Sequence, residues 1–351
     1  MADLITFSIA LIASFGLTVP IRRLALRIGM VDLPNPRKVH RTPMPLLGGL
    51  AIYAGFVLAI LFSTSSQVRS QMVGILAGAT LLAVIGFLDD RGWLHHQVKL
   101  FVGMPLAALL LLASGIRAGV VSYWLHSPAG HLLDAALTIF WVVGITAAFS
   151  ILDHMDGLCA GIAAIAAAFF ALLAIQSGQV LVSTLAAAVL GAALGFLRWN
   201  FRPAKIFMGD GGALFLGFLM AALGLKLRLT TVTPLASWLV PVLILGVPIF
   251  DTTLITISRV RRGLLPFASP GKDHTAHRLA NLGLGHRGAV LTLYGAGLAF
   301  GLLAWLLVRL PETAVLSLAG AIAFAMLLAV AALERAPYER QQKSSTSAQI
   351  P

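Results

Sequence analysis

Long uninterrupted apolar runs recur from one end of this chain to the other. Hydrophobic residues make up 59% of its 351 residues and charged residues only 11%. A helix rises 1.5 Å per residue, so about 20 apolar residues cross a hydrocarbon core of about 30 Å. The runs are continuous rather than alternating, which argues against a transmembrane β-barrel. We therefore expect an all-α fold, that of a polytopic helical membrane protein.

The apolar runs predict about eleven transmembrane helices in a single domain covering residues 1–333. Residues 334–351 are rich in Ser, Gln and charge, which predicts a disordered tail. The predicted spans are residues 3–20, 46–63, 71–88, 98–114, 133–151, 158–176, 179–197, 208–225, 234–257, 289–309 and 313–333.

The basic residues predict the orientation of these spans. With the N-terminus outside, 20 of the 25 Lys and Arg residues fall in inward-facing segments. The exceptions are Arg69, Arg117, Lys226, Arg228 and Arg309. Such an asymmetry predicts an outer N-terminus and a cytoplasmic C-terminus. The net charge of +12 is thereby explained by membrane orientation, and we expect no nucleic-acid partner.

Most acidic residues share the inward face with the basic ones. Asp and Glu contribute little to membrane orientation, so insertion alone does not explain their clustering. We interpret it as one polar site at the cytoplasmic ends of several helices. The inward acids are Asp32, Asp89, Asp90, Asp153, Asp156, Asp210 and Asp273, whereas Asp3, Asp134 and Glu312 lie on the other side.

Residues 198–217 carry the most informative polar segment. Arg202 and Lys205 precede a lone carboxylate, Asp210, which is flanked by glycines at the start of an apolar run. An acid at the mouth of a membrane helix is costly unless it is paired or binds a cation. The basic residues could hold phosphate and Asp210 a cation. The alternative is an ordinary cytoplasmic loop that ends in a capping acid.

Two further segments suggest anion and metal binding. The first loop presents Lys38, His40 and Arg41 on a proline-rich backbone, which suits an anion-binding loop or a stiff positive loop. The third span ends in Asp89 and Asp90, whose mutual repulsion is relieved by a divalent cation or by protonation. Magnesium fits this pair because it prefers hard oxygen ligands. A solvated helix end is the alternative.

Two later segments complete the polar set. Asp153 and Asp156 are three residues apart and share a face if helical, and Gly157 permits a turn after them. His274 and His277 are also three residues apart, and their spacing suits contacts to phosphate or proton transfer. Without a cysteine pair or a third close ligand, a zinc site is the weaker interpretation.

Taken together, these segments resemble the polyprenyl-phosphate N-acetylhexosamine-1-phosphate transferases, which are related to the phospho-muramoyl-pentapeptide transferase. The resemblance covers residues from about 32 to 287. It is carried by Arg37-Lys-Val-His40 with Gly48-Gly49, Asp89-Asp90, Asp156-Gly157, Asn200-Phe-Arg-Pro-Ala-Lys-Ile-Phe-Met-Gly-Asp210, Asp251-Thr and His274 to His277.

The resemblance implies one catalytic domain in a bacterial inner membrane, with a cytoplasmic active site. It implies a magnesium-dependent reaction, with manganese as the alternative ion. The phosphate of a polyprenyl phosphate attacks the β-phosphorus of a UDP-activated amino sugar, most simply UDP-N-acetylglucosamine, and UMP leaves. This would be the first membrane step of cell-envelope glycan synthesis. The oligomeric state, including a homodimer, is left open.

The resemblance also implies roles for individual residues. Asp210 would be the principal metal ligand, with Asp90 and Asp156 as further ligands. Asp89, Asp90, Asp156, His274 and His277 would be catalytic. The residues implied in substrate binding are Lys38, His40, Arg41, Asp153, Gly157, Asn200, Lys205 and Arg278.

The chain departs from the commoner family pattern in two motifs. Where many relatives carry Asn-x-x-Asn-x-x-Asp-Gly-x-Asp-Gly, it has Ser150, Asp153 and Cys159 in place of both asparagines and the second aspartate. Nucleotide recognition would then use other groups, of which Asp153 is the nearest. The His274-Thr-Ala-His277 motif disfavours the muramoyl-pentapeptide branch, which remains one alternative function.

Two rival classes deserve comparison. An ion-coupled transporter would use the same acids, but transport sites lie near the midplane with access from both faces. Here most of the acids map to one face, which disfavours a transporter. A CDP-alcohol phosphotransferase would need an Asp-Gly-x-x-Ala-Arg signature, which does not follow Asp156-Gly157.

Overall fold

The protein is predominantly helical in the computed structural model, which describes residues 1–34, 42–63, 69–229, 232, 234–266 and 271–338. A short antiparallel pair joins β1 (Val31–Asp32) to β2 (Met44–Pro45). The helices are α1 (Ala2–Arg27), α2 (Gly48–Leu61), α3 (Arg69–Asp90), α4 (His96–Val98), α5 (Met104–Ala113), α6 (Val121–Trp124), α7 (Pro128–Leu152), α8 (Leu158–Gln176), α9 (Val180–Asn200), α10 (Gly209–Lys226), α11 (Pro234–Ile244), α12 (Gly246–Arg261), α13 (Thr275–Leu279), α14 (Gly285–Leu307) and α15 (Glu312–Leu333). A π-helical turn, Lys99–Gly103, precedes α5, and the segment Ala280–Leu284, which leads into α14, is kinked at Gly283, where φ is +103°.

The predicted multi-helix membrane fold is confirmed. Among the described residues, eight helices are long and apolar enough to cross a membrane, or nine if α11 and α12 count as one span. The predicted spans 46–63 and 98–114 fall on shorter apolar helices, Gly48–Leu61 and Lys99–Ala113. The number eleven is therefore not confirmed, and the orientation of the N-terminus stays a prediction.

The predicted span 234–257 is broken rather than straight. Its two halves meet at Leu245 and are bent by 76°. Pro248 has no N–H to donate to the carbonyl of Ile244, and its ring crowds the preceding turn, so the helix bends there. The axis of α12 therefore does not continue that of α11.

Helix α10 lies at the centre of the bundle. Its side chains from Gly211 to Leu225 are all buried, and it packs against α2, α3, α7 and α8. Small residues allow this close packing, as is common between membrane helices. Gly49 and Gly212, for example, meet so closely that a Cβ on either would collide with the other's backbone. The first turn of α10 is thereby fixed beside the ends of its neighbours.

The segment after α15 packs onto the loop that precedes α13. The fully buried guanidinium of Arg278 lies 2.8 Å from a carboxylate oxygen of Glu334 and 4.2 Å from the ring centroid of Tyr338. It also donates to the carbonyl of Leu333. The predicted disordered tail thus begins with a packed segment, and residues 339–351 lie outside the described residues.

These contacts predict a difference between two truncations. Deleting residues 339–351 should leave the unfolding temperature unchanged, because Glu334 and Tyr338 remain. Deleting residues 334–351 should destabilise the fold by about 3 kcal/mol, because Arg278 keeps a buried charge without its partner. Thermal unfolding of the purified proteins in detergent measures the difference. Equal unfolding temperatures for the two truncations would contradict this role of the segment.

Candidate active site

A cavity of about 640 Å³ opens where several helix ends meet. It lies beside the last turn of α7, the end of α9, the start of α10 and the start of α14. Acidic and basic side chains both line it, together with a few apolar ones. The ionisable lining residues are Asp32, Asp153, His154, Asp156, Arg202, Asp210, Lys272, His277 and His286.

The first turn of α10 presents Asp210 to this cavity. The backbone N–H groups of Asp210 and Gly211 donate to the two carboxylate oxygens of Asp90, at 2.8 and 3.1 Å. Asp90, at the end of α3, thus satisfies two donors that the start of a helix leaves without partners. Gly209 has φ +76°, and a Cβ there would collide with the Asp90 carboxylate, so glycine is required.

A lysine links the acids of α3 and α10. The Nζ of Lys99 lies 2.7 Å from Asp89 Oδ2 and 2.6 Å from Asp210 Oδ2. The hydroxyl of Ser150 donates to the other oxygen of Asp210, at 2.8 Å. Asp210 thus accepts from Lys99 and Ser150 and also lies close to the Asp89 carboxyl, and its two oxygens still have lone-pair capacity for a further ligand.

The turn between α7 and α8 brings two more carboxylates to the cavity. Burial, with the negative charges of Asp210 and Asp90, raises the pKa of Asp153 to about 8. Asp156 Oδ2 accepts a hydrogen bond from the backbone N–H of Ala204, at 3.2 Å. This turn therefore adds two carboxyl groups to the cavity wall.

The side chain of Asn200 holds this turn in place. Its Oδ1 accepts from the N–H of Gly157, at 3.0 Å, and its Nδ2 donates to the carbonyl of Ile206, at 3.0 Å. Gly157 has φ +80°, which favours glycine. Asn200 therefore joins the acidic turn to the segment that leads into α10.

Asp153, Asp156 and Asp210 form an oxygen donor set. Carboxylates are the ligands that hard divalent cations prefer. All three side chains line the same cavity. The chemistry of these residues suits a magnesium-type ion, although among the described residues their ligand atoms are not grouped within 4.8 Å of one another as those of His154, Asp251 and His274 are.

His154, Asp251 and His274 form a second cluster, whose potential ligand atoms lie within 4.8 Å of one another. The rings of His154 and His274 are stacked, with centroids 4.0 Å apart and planes inclined by 23°. A ring nitrogen binds a metal in the plane of its ring, so one ion cannot face both stacked rings. Nδ1 of His274 already bonds Asp251, at 3.0 Å. The cluster is better explained as packing that orients the histidine segment.

His154 enters this stack as a neutral ring. Burial and the neighbouring His274 lower the pKa of His154. Its Nδ1 lies 3.0 Å from the carbonyl of Ile151, which can only accept, so Nδ1 carries the hydrogen and Nε2 keeps a lone pair. His277 lies beside it, with ring centroids 5.0 Å apart, and faces the cavity.

The loop between α12 and α13 is held by a buried ion-pair network. Asp273 accepts from Arg259 at 2.9 and 3.1 Å and from Arg262 at 2.6 Å. Burial opposes ionisation of Asp273, but the two guanidinium groups outweigh it and lower its pKa to about 2. The network fixes the segment that carries Lys272 and His274.

The predicted site residues fall into four groups. Asp153, Asp156, Asn200, Asp210 and His277 line the cavity. A second group lies behind that lining: Asp90, Gly157 and His274 by one hydrogen bond or ring contact, and Asp89 through Lys99. Lys38, His40 and Arg41 lie outside the described residues.

Lys205 and Arg278, the fourth group, are placed elsewhere. The Lys205 ammonium lies 5.3 Å from the ring centroid of Trp199, and the residue does not line the cavity. Arg278 is directed to Glu334, Ser258 and the Asp273 carbonyl. The prediction that Arg278 contacts substrate is therefore corrected, because its buried guanidinium holds two segments of the protein together.

Sequence reasoning missed Lys99, His286 and Tyr294. In the sequence, Lys99 stands out only as one of the inward basic residues. Its position at the start of an apolar run was the signal that could have marked it. His286 lies in the cavity lining, nine residues beyond His277. Tyr294 lies within an apolar helix, and its hydroxyl donates to the carbonyl of Gly157 at 2.6 Å. No sequence pattern marked it.

Known proteins align with most of the chain. The family described as Glycosyl transferase family 4 matches residues 72–228. A Bacillus subtilis protein named "Probable undecaprenyl-phosphate N-acetylglucosaminyl 1-phosphate transferase" is 39% identical, over 85% of this chain and 83% of its own length. A Mycobacterium tuberculosis "Decaprenyl-phosphate N-acetylglucosaminephosphotransferase" is 34% identical, over 81% and 77%. A Yersinia pestis "Undecaprenyl-phosphate alpha-N-acetylglucosaminyl 1-phosphate transferase" is 30% identical, over 90% and 89%.

The shared lysine generates a stability prediction. Lys99→Met should lower the free energy of unfolding by about 1–3 kcal/mol, because Asp89 and Asp210 then repel one another in a partly buried setting. Adding Asp89→Asn should recover much of that loss. Lys226→Met, at the other end of α10, serves as the control. Thermal unfolding measures all three. No loss in Lys99→Met, or no recovery in the double variant, would contradict the bridging role.

Proposed function

This chain belongs to glycosyl transferase family 4, and from that premise we propose that it transfers N-acetylglucosamine 1-phosphate from UDP-N-acetylglucosamine to a polyprenyl phosphate. The products are polyprenyl-diphosphate-N-acetylglucosamine and UMP. Relatives that align over most of the chain carry names with this donor group and a polyprenyl-phosphate acceptor. The observation that carries the proposal is the convergence of Asp153, Asp156 and Asp210 with Arg202 and Lys272 in one cavity.

The reaction explains why the cavity combines charges of both signs. An oxygen of the acceptor phosphate bonds to the β-phosphorus of the donor, and the bond from that phosphorus to the bridging oxygen breaks. The electron pair leaves with UMP. Bringing two phosphorylated molecules together requires neutralisation of their charge, so catalysis depends on positioning and electrostatics. Arg202 and Lys272 would bind the diphosphate, and His277 would contact the phosphate or the sugar.

The acids of the cavity would hold the magnesium ion that we propose as cofactor, with manganese as a substitute. Asp210 and Asp156 are the proposed ligands, because both line the cavity and both keep free lone pairs. A bound ion would neutralise the diphosphate and stabilise the departing UMP. Ser150 and Lys99 would fix the orientation of the Asp210 carboxylate.

The acids of α3 receive different roles in this proposal. Both oxygens of Asp90 accept backbone N–H groups of α10, and Asp90 does not line the cavity. We therefore assign it to positioning Asp210 rather than to binding metal. Asp89 shares Lys99 with Asp210 and, like Asp90, does not line the cavity, so we propose that it acts on the acceptor phosphate through Lys99 rather than by direct contact.

Recognition of the nucleotide would differ from the commoner family pattern. Cys159 is buried, its Sγ lies 3.7 Å from the carbonyl of Phe149, and it does not line the cavity. Asp153 does line the cavity, one turn before the Gly157 bend. We propose Asp153 as the carboxyl that contacts the uridine.

We propose that the cavity opens on the cytoplasmic side of a bacterial inner membrane. The excess of Lys and Arg in the segments at this end of the bundle supports that orientation. UDP-sugars are made in the cytoplasm, and the acceptor phosphate lies at a membrane surface, so a site at helix ends serves both substrates.

The proposal predicts release of UMP from UDP-N-acetylglucosamine only when undecaprenyl phosphate is added to the purified protein. Asp210→Asn should lower kcat at least a hundredfold, about 2.7 kcal/mol in the activation free energy, because a metal ligand is lost. Asp3→Asn, at the opposite end of the bundle, is the matched control and should be within twofold of the parent.

A panel of donors makes this test selective. UDP-N-acetylgalactosamine and UDP-N-acetylmuramoyl-pentapeptide are the informative alternatives. Release only from the pentapeptide donor would favour the muramoyl branch of the family. No release from any donor, or full activity of Asp210→Asn, would overturn the proposal.

Metal removal provides a separate prediction. Excess EDTA should abolish UMP release, and adding magnesium or manganese should restore it, because both are hard cations that suit carboxylate ligands. Asp156→Asn should need a higher magnesium concentration for half-maximal rate than the parent does. Activity that persists in EDTA would contradict the metal assignment.

A further inference from the structure

Tyr294 joins the two parts of the cavity that come from distant segments. It lies on α14, whose first turns carry His286, and its hydroxyl donates to the carbonyl of Gly157 at 2.6 Å. Gly161 makes room for it, since a Cβ at that position would collide with the tyrosine hydroxyl and ring. An apolar membrane helix thus makes one polar contact to the acidic turn.

The Gly157 residue is held from two sides. Its N–H donates to Asn200 Oδ1 at 3.0 Å, so side chains of α9 and α14 grip the two polar groups of one residue. Its φ of +80° lies in a region that glycine enters freely. The backbone of this residue is therefore free to take other conformations, and the two hydrogen bonds restrict it. Asp156, which precedes it, points its carboxylate into the cavity.

We propose that Tyr294 is a positioning residue, which sets the orientation of Asp156 by clamping the carbonyl of Gly157. The inference rests on the proposed function for its kinetic consequence, but the clamp itself does not. Loss of the hydroxyl would let the 153–157 turn shift relative to the histidine end of α14. Misplacement of a reacting group by about 1 Å can reduce rate by about a hundredfold.

The contact is separable from stability. The carbonyl of Gly157 also accepts from the N–H of Gly161, at 2.9 Å, so it keeps one hydrogen bond when the tyrosine hydroxyl is removed. Tyr294→Phe should therefore change the unfolding temperature by no more than about 2 °C. If Tyr294 only filled space, Tyr294→Phe would leave the kinetics unchanged as well, because phenylalanine fills the same space.

The chain offers a matched control. The hydroxyl of Tyr53 is also partly buried and lies 3.0 Å from the Thr80 hydroxyl, between α2 and α3. Tyr294→Phe should lower kcat for UMP release about tenfold or more and raise the magnesium concentration needed for half-maximal rate. Tyr53→Phe should be within twofold of the parent in both. A Tyr294→Phe protein with parental kcat and magnesium dependence would overturn the proposal.

A second measurement does not depend on enzyme activity. Hydrogen–deuterium exchange of peptides covering residues 153–161 should be faster in Tyr294→Phe than in the parent and in Tyr53→Phe. If the parent releases no UMP, the proposed function fails, and the exchange rates still decide whether the clamp exists. If Tyr294→Phe does not fold, Gly161→Ala displaces the hydroxyl instead and should give the same faster exchange. Unchanged exchange in the folded variant would sink the clamp.

Discussion

The contact between the end of α3 and the start of α10 is the constraint on which the site depends. The start of a helix carries partial positive charge and unpaired N–H groups, and Asp90 satisfies both with one carboxylate. Lys99 then balances Asp89 and Asp210 in the same junction. With α10 almost fully buried, its first turn cannot move without disturbing the bundle. Asp210 is therefore held in a fixed direction at the edge of an apolar core.

The helices could be predicted well from the sequence because long apolar runs have few alternatives in a membrane. The predicted span 158–176 coincides with α8, and 208–225 differs from α10 by one residue at each end. The bend at Leu245 could not be predicted from Pro248 alone. A membrane helix can accommodate a proline when neighbouring groups replace the lost hydrogen bond. Whether they do so depends on packing, which periodicity does not report.

The site was only partly predictable. Family motifs identified Asp156, Asn200 and Asp210, and the structure places all three on one cavity. Arg278 shows the limit of the method: it follows His277 directly, but successive helical residues are rotated by about 100°, so the two side chains face different surroundings. Lys99 and Tyr294 matter through partners far away in sequence. Such pairs depend on how helices pack, and no local pattern encodes them.

The charges of the cavity couple the binding of metal and donor. Asp32, Asp153, Asp156 and Asp210 face the same space as Arg202 and Lys272, and His154 is neutral. Like charges about 4 Å apart repel by about 4 kcal/mol at an effective dielectric constant of 20. A diphosphate entering without a cation would meet such a repulsion from each carboxylate that is ionised. A bound divalent cation would reverse the sign of the charge at the acids. The same residues that repel the free diphosphate would then attract it as a metal complex.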